Sequence, residues 1–147
     1  MPSFPCKVDV YGAWAGLHGA ISEMTKAVHL SGLDRRIIEL VNVRASQLNG
    51  CSHCLDRHTR AAIEQAGWEP RHVASVGAWR DTTWFSSQER AALALTDATI
   101  GTGRVPDDVV ADAQQEFGDD GLAKLLLAIV AINCWNRVNV VARVEPT

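Results

Sequence analysis

Residues 35–58 read RRIIELVNVRASQLNGCSHCLDRH, and this stretch decides the fold. Its first half is rich in Ile, Leu and Val without sustained alternation, which predicts a helix from about Arg35 to Leu48. Asp34 is of the type that caps such a helix, and Asn49-Gly50, a dipeptide that favours turns and left-handed backbone, stops it. A further helix then starts at or beside Cys51 and runs to about Gln65. Side chains on it advance by about 100° per residue, so Cys54 and His58 fall about −60° and −20° from Cys51. The three share one face. His53 turns about 200° away, onto a surface from which it can still reach a loop or a neighbouring helix.

The same periodicity extends in both directions. Trp14, Leu17, Ile21, Met24 and Val28 predict a first helix from about Asp9 to Leu30, ended by Ser31-Gly32-Leu33. Beyond Glu69-Pro70 a short helix is expected at about 71–77, and Trp79–Phe85 reads as irregular. Ser86 or Ser87, with Glu89 at a capping-box position, opens a helix that reaches about Ile100 and breaks at Gly101-Thr-Gly103. Pro106 opens another over about Asp107–Phe117. Gly118-Asp-Asp-Gly121 separates it from a long, strongly apolar last helix over about 122–144, with more than one apolar face. The expectation is an all-α fold of six to seven helices in one domain spanning 1–147, with the cysteine pair at a helix N-terminus.

The chain has 147 residues, enough to bury roughly 68% of its unfolded surface without disulfides. Its net charge of −3 argues against nucleic acid or an anionic membrane surface as a partner. No apolar run is read as approaching the roughly 18 to 20 residues of a membrane span, and MPSFPCKVDV lacks the pattern of a signal peptide, so a cytoplasmic location is expected. Four cysteines are too few for a disulfide scaffold at this length, which turns attention to Cys51-Ser-His-Cys54.

A thiol in the first turn of a helix lies near unsatisfied N–H groups and the positive end of the dipole, and both favour thiolate. An unperturbed thiol is about 3% ionised at neutral pH, and lowering its pKa to about 6.5 makes it roughly 75% ionised. His58, four residues beyond Cys54, is placed to accept a thiol proton. Glu39, flanked by Ile37-Ile38 and Leu40-Val41, is a carboxylate expected to be partly buried and in need of a partner. Glu39, His58 and Cys54 would form a carboxylate, imidazole and thiol relay, with Cys51 poised to close a disulfide across two residues. Bland alternatives stay open. Glu39 could pair locally with Arg35 or Arg36, both thiols could be inert, or Cys51, Cys54 and His58 with Cys6 or His72 could hold zinc.

Glu39, the run Asn49-Gly-Cys-Ser-His-Cys54 and His58 together resemble the core motif of the alkylhydroperoxidase D-like group of the carboxymuconolactone decarboxylase superfamily. Trp79 with Phe85, Glu89–Leu95 and Asn133-Cys-Trp-Asn-Arg137 resemble its later segments. The resemblance implies a helical trimer or hexamer that reduces hydrogen peroxide or organic hydroperoxides with its cysteine pair and no cofactor or metal. Cys54 would attack the peroxide, Cys51 would resolve the sulfenic acid, Glu39 and His58 would relay protons, and His53 would be an auxiliary residue. A lipoyl-bearing adaptor recycles the disulfide in some relatives, but the residues do not identify a reductant here. Cys134, where a small apolar residue is expected, is a departure assigned to the core. Trp79, Trp84 and Phe85 are read as packing groups. Competing functions are a dithiol-disulfide oxidoreductase or redox sensor without peroxide turnover, a zinc-held interaction module, and a lactone decarboxylase, a branch that does not use a C-x-x-C pair.

Overall fold

The arrangement is built around α3, Arg35–Asn49, which packs against four other helical segments. The computed structural model describes residues 7–147, and Cys6 lies outside them. Eight helical segments follow one another, with no strand among the described residues. They are α1 (Val10–Ala13), α2 (Ala15–Leu30), α3, α4 (Ser52–Glu64), α5 (Pro70–Ala74), a 3-10 helix (Val76–Asp81), α6 (Ser87–Ile100) and α7 (Asp107–Ala142). The all-α expectation holds.

Local chemistry explains most of the boundaries. The Asp34 carboxylate accepts from the Arg36 N–H at 2.8 Å, and Gly50 closes α3 in the left-handed region at φ 66°. Ser86 and Glu89 form the reciprocal capping box at the start of α6. α7 runs from Asp107 to Ala142 but leaves helical geometry at Gly118, where φ is 69° and ψ 176°. Only this first residue of Gly118–Gly121 breaks the helix; Gly121 is helical.

Three expectations need correction. The first helix is divided at Trp14, which is extended (φ −150°, ψ 101°) and 68% exposed, so it does not belong to the buried stripe that Ile21 and Val28 carry. Its indole lies over Gly16, in space that a Cβ there would occupy at 2.6 Å. Residues 79–81 belong to the 3-10 helix. The Trp79 indole N–H donates to Asp97 at 3.1 Å and Arg80 pairs with the same carboxylate at 2.5 Å, so α6 holds that turn in place. Finally, α7 is long and apolar enough by composition to cross a membrane, and 44% of its most apolar stretch is buried inside the chain.

Much of that apolar surface enters the core. Leu125, Ile129 and Ile132 of α7 meet Ile37, Val41 and Ala45 of α3 and Ala92 and Leu95 of α6. Burying each such Leu, Ile or Val stabilises the fold by about 1.5–3 kcal/mol. On the far side of α3, Leu40 and Val43 pack with Trp68, Val73, Val76, Trp79 and Phe85. A smaller cluster joins Val28 of α2 to Ile38 and to Ala128 and Ala131. With both faces of α3 fixed, the residues on its remaining edge are presented to α4.

Candidate active site

Cys51 is the N-cap of α4. Its sulfur accepts from the Cys54 N–H at 3.2 Å, while its own N–H donates to the Ser46 carbonyl at 3.1 Å. Gly50 makes this tight approach possible, because the left-handed turn returns the chain against the end of α3. Cys51 and Cys54 are joined by a disulfide, their Cα atoms 5.3 Å apart, and both are buried at 2% and 3% exposure. The pair therefore occupies the first turn of a helix, as the spacing predicts.

Glu39 stands on α3 and His58 on α4, and the packing of those helices brings them together. His58 Nδ1 lies 2.8 Å from Glu39 Oε2. A carboxylate only accepts, so Nδ1 donates and Nε2 is left as the basic nitrogen of the neutral imidazole. The Asn42 amide donates to the same carboxylate oxygen at 3.3 Å, and the Arg35 guanidinium stands 3.5 Å from the other. Glu39 thus has both the relay partner and the local arginine partner that the sequence left as alternatives. At 2% exposure its burial pushes the carboxyl pKa up, but His58, Asn42 and Arg35 outweigh that and hold it below the usual carboxylate value.

A cavity of about 750 Å³ opens beside this pair. Cys54, His58, Glu39 and His53 all line it, and Cys51 does not. His53, although turned away from the cysteine face, reaches the rim and its Nδ1 lies 3.0 Å from the Glu145 carbonyl of the C-terminal segment. Tyr11, His18, His29 and Trp135, for which the sequence offered no signal, also line the cavity. Burial, followed by the nearby Arg35, pushes the His29 pKa down.

The hydrogen bond to the Cys54 sulfur comes from the Asn139 amide at 3.5 Å, and the Tyr11 hydroxyl donates to the same amide's oxygen at 2.5 Å. Sequence reasoning misses Asn42, Asn139 and Tyr11. For the two asparagines a signal exists: each is a polar residue inside an apolar run, the feature that picks out Glu39. Tyr11 lies 128 residues from Asn139 and has none.

The residues read as packing groups, and those weighed for a metal, lie elsewhere. Trp79 and Phe85 are core residues, and exposed Trp84 stacks against His72 and Arg71; none of the three lines the cavity. Cys134 is only partly buried, not a full core residue, because it lies between the inner and outer faces of α7. Among the described residues no group of three His, Cys, Asp or Glu side chains is arranged to hold a metal ion, and His72 packs on Trp68 and Trp84.

Comparison with known proteins bears on the fold and the family. A protein of unknown function from Agrobacterium tumefaciens, which carries a provisional AhpD antioxidant-defence name, has the same fold over 96% of this chain and 97% of its own, with 31% identity and a TM-score of 0.91. The debrominase Bmp8, solved with 2,3,4-tribromopyrrole, shares the fold at a TM-score of 0.82 over 92% of this chain and 73% of its own, with 14% identity. The uncharacterized protein YdfG of Bacillus subtilis is 33% identical over 120 residues, covering 80% of this chain and 81% of that protein. The carboxymuconolactone decarboxylase family pattern matches residues 9–98, the segment that holds Glu39, both site cysteines and His58. The chain belongs to the carboxymuconolactone decarboxylase family.

Proposed function

We propose that this protein is a thiol-dependent peroxidase that cycles Cys51 and Cys54 between dithiol and disulfide. The observation that carries the reading is the disulfide-linked pair of which only Cys54 lines the cavity, which the hydrogen-bonded Glu39–His58 pair also lines. In the reduced protein His58 takes the Cys54 proton and Glu39 stabilises the resulting imidazolium. The Cys54 thiolate attacks one peroxide oxygen and the O–O bond breaks. The leaving alkoxide takes the proton from His58 and departs as alcohol, leaving Cys54 as sulfenic acid. Cys51 then gives up its proton and attacks the Cys54 sulfur; the sulfenic hydroxyl leaves as water and the disulfide closes. The peroxide gains two electrons, the dithiol loses two, and an external thiol returns them; a lipoyl-bearing adaptor is the reductant that the family resemblance suggests.

The test is consumption of cumene hydroperoxide or hydrogen peroxide by pre-reduced protein with a dithiol donor. Cys54→Ser is expected to lose more than about 100-fold in rate. One equivalent of hydroperoxide should produce a Cys51–Cys54 disulfide, read by mass spectrometry, with no Cys134 adduct. Wild-type turnover in Cys54→Ser would overturn the reading. A wild-type rate with peroxide no faster than that of free cysteine would favour a general dithiol-disulfide oxidoreductase.

A further inference from the structure

We propose that Asn139 is a catalytic residue that stabilises the Cys54 thiolate by donating its amide N–H to the sulfur, and that Tyr11 positions it. The inference rests on the reading above only in taking Cys54 as the reactive thiol. Three observations carry it. The Asn139 Nδ2 atom lies 3.5 Å from Cys54 Sγ, within reach of a sulfur acceptor. Asn139 is buried at 7% exposure, so its amide cannot exchange the sulfur freely for bulk water. Its Oδ1 accepts the Tyr11 hydroxyl at 2.5 Å, so the amide presents its oxygen toward Tyr11 and its nitrogen toward the sulfur.

The orientation matters because an amide has two unlike ends. With Oδ1 held by an O–H donor, the end that meets the sulfur is the donor end, and a donor favours the ionised thiol over the neutral one. A disulfide sulfur is a weak acceptor and a thiolate a strong one, so the contact tightens when the pair is reduced. It supplements the N-terminal dipole of α4, which acts on the same sulfur from the side of the backbone. Asn139 comes from α7 and Tyr11 from α1, so two elements outside the cysteine motif act on its acidity. Tyr11 and Asn139 both line the cavity, which places this donor where a peroxide would approach the sulfur.

The experiment measures thiol ionisation without any peroxide. In a Cys51→Ser background, where serine is a good N-cap in place of the cysteine, the rate of Cys54 alkylation by iodoacetamide is followed against pH, with the site read by mass spectrometry. Asn139→Leu, which removes the donor at similar volume without adding a charge, is expected to move the midpoint of that profile up by about one pH unit. Tyr11→Phe, which keeps the ring and removes the hydroxyl, should move it in the same direction by a smaller amount. Far-UV circular dichroism checks that each variant is folded. Midpoints in both variants equal to that of the parent would overturn the inference, whatever the peroxide activity. A shifted midpoint in a protein without peroxide turnover would support it and reject the peroxidase reading instead.

Discussion

Glu39 is a carboxylate at 2% exposure whose ionised form is held by a histidine, an amide and an arginine. Its pKa is lower in the folded chain than in the unfolded one, so between the two values the unfolded chain binds more protons. The resulting stabilisation is full above the ordinary value of 4.5 and is lost as pH falls through the lower, folded value. Glu39→Gln should therefore cost about 1–3 kcal/mol near neutral pH, and the gap to wild type should shrink steadily as pH drops below the ordinary value of 4.5. Urea midpoints in the neutral and acidic ranges check this; an equal gap in both would show that the charge is not what stabilises the pair. Glu39 and His58 are legible in the sequence alone, one from its apolar flanks and the other from its phase with Cys54. Asn139 carries the same kind of signal as Glu39, a polar side chain in an apolar run. What the run does not reveal is which sulfur, three helices earlier, that amide meets.

Helix boundaries show how much of each element local chemistry decides. The stops at Gly50 and near Gly118 and the caps at Asp34 and Ser86 are legible because each rests on a residue type that changes the backbone or satisfies an end group. The break at Trp14 is not. The apolar spacing runs through it without a fault, while the extended Trp14 backbone goes with an indole folded over Gly16, a contact the spacing does not encode. The 3-10 helix is hidden for a different reason: its anchor, Asp97, lies in a later element and holds Arg44 of α3, Trp79 and Arg80 together. Glycine substitutions test the legible part. Gly118 has φ 69° and ψ 176°, a region open almost only to glycine, and no atom lies within 4 Å of a Cβ built there. The cost of Gly118→Ala is thus conformational, about 1–3 kcal/mol. Gly19, inside α2 with equal space around it and ordinary helical backbone, makes the opposite case. Gly19→Ala should stabilise by about 0.5–1 kcal/mol. Thermal unfolding of the two variants gives opposite signs if backbone conformation decides, and the same sign if it does not.

At the scale of the whole molecule the question is whether the bond that opens and closes in the proposed cycle also holds the fold together. None of the three apolar clusters contains Cys51 or Cys54, although both are buried; the clusters are built from Ile, Leu, Val, Ala and aromatic residues of α2, α3, α6, α7, the segment after α4, and Ala62 of α4 itself. The disulfide also constrains very little chain, since its cysteines are only three residues apart. Loop-closure entropy for so small a ring is about 2 kcal/mol at most, and the α4 N-cap geometry already restricts those residues without it. Reduction by a phosphine should accordingly lower stability by no more than about 2 kcal/mol and leave helix content unchanged. The urea midpoint then moves modestly with its slope unaltered, because the surface exposed on unfolding is the same. A loss of cooperative unfolding on reduction would show that the pair is structural. A core that survives reduction is what the proposed cycle requires, since Cys51 and Cys54 could then exchange electrons while the helices that present His58, Glu39 and Asn139 stay in place.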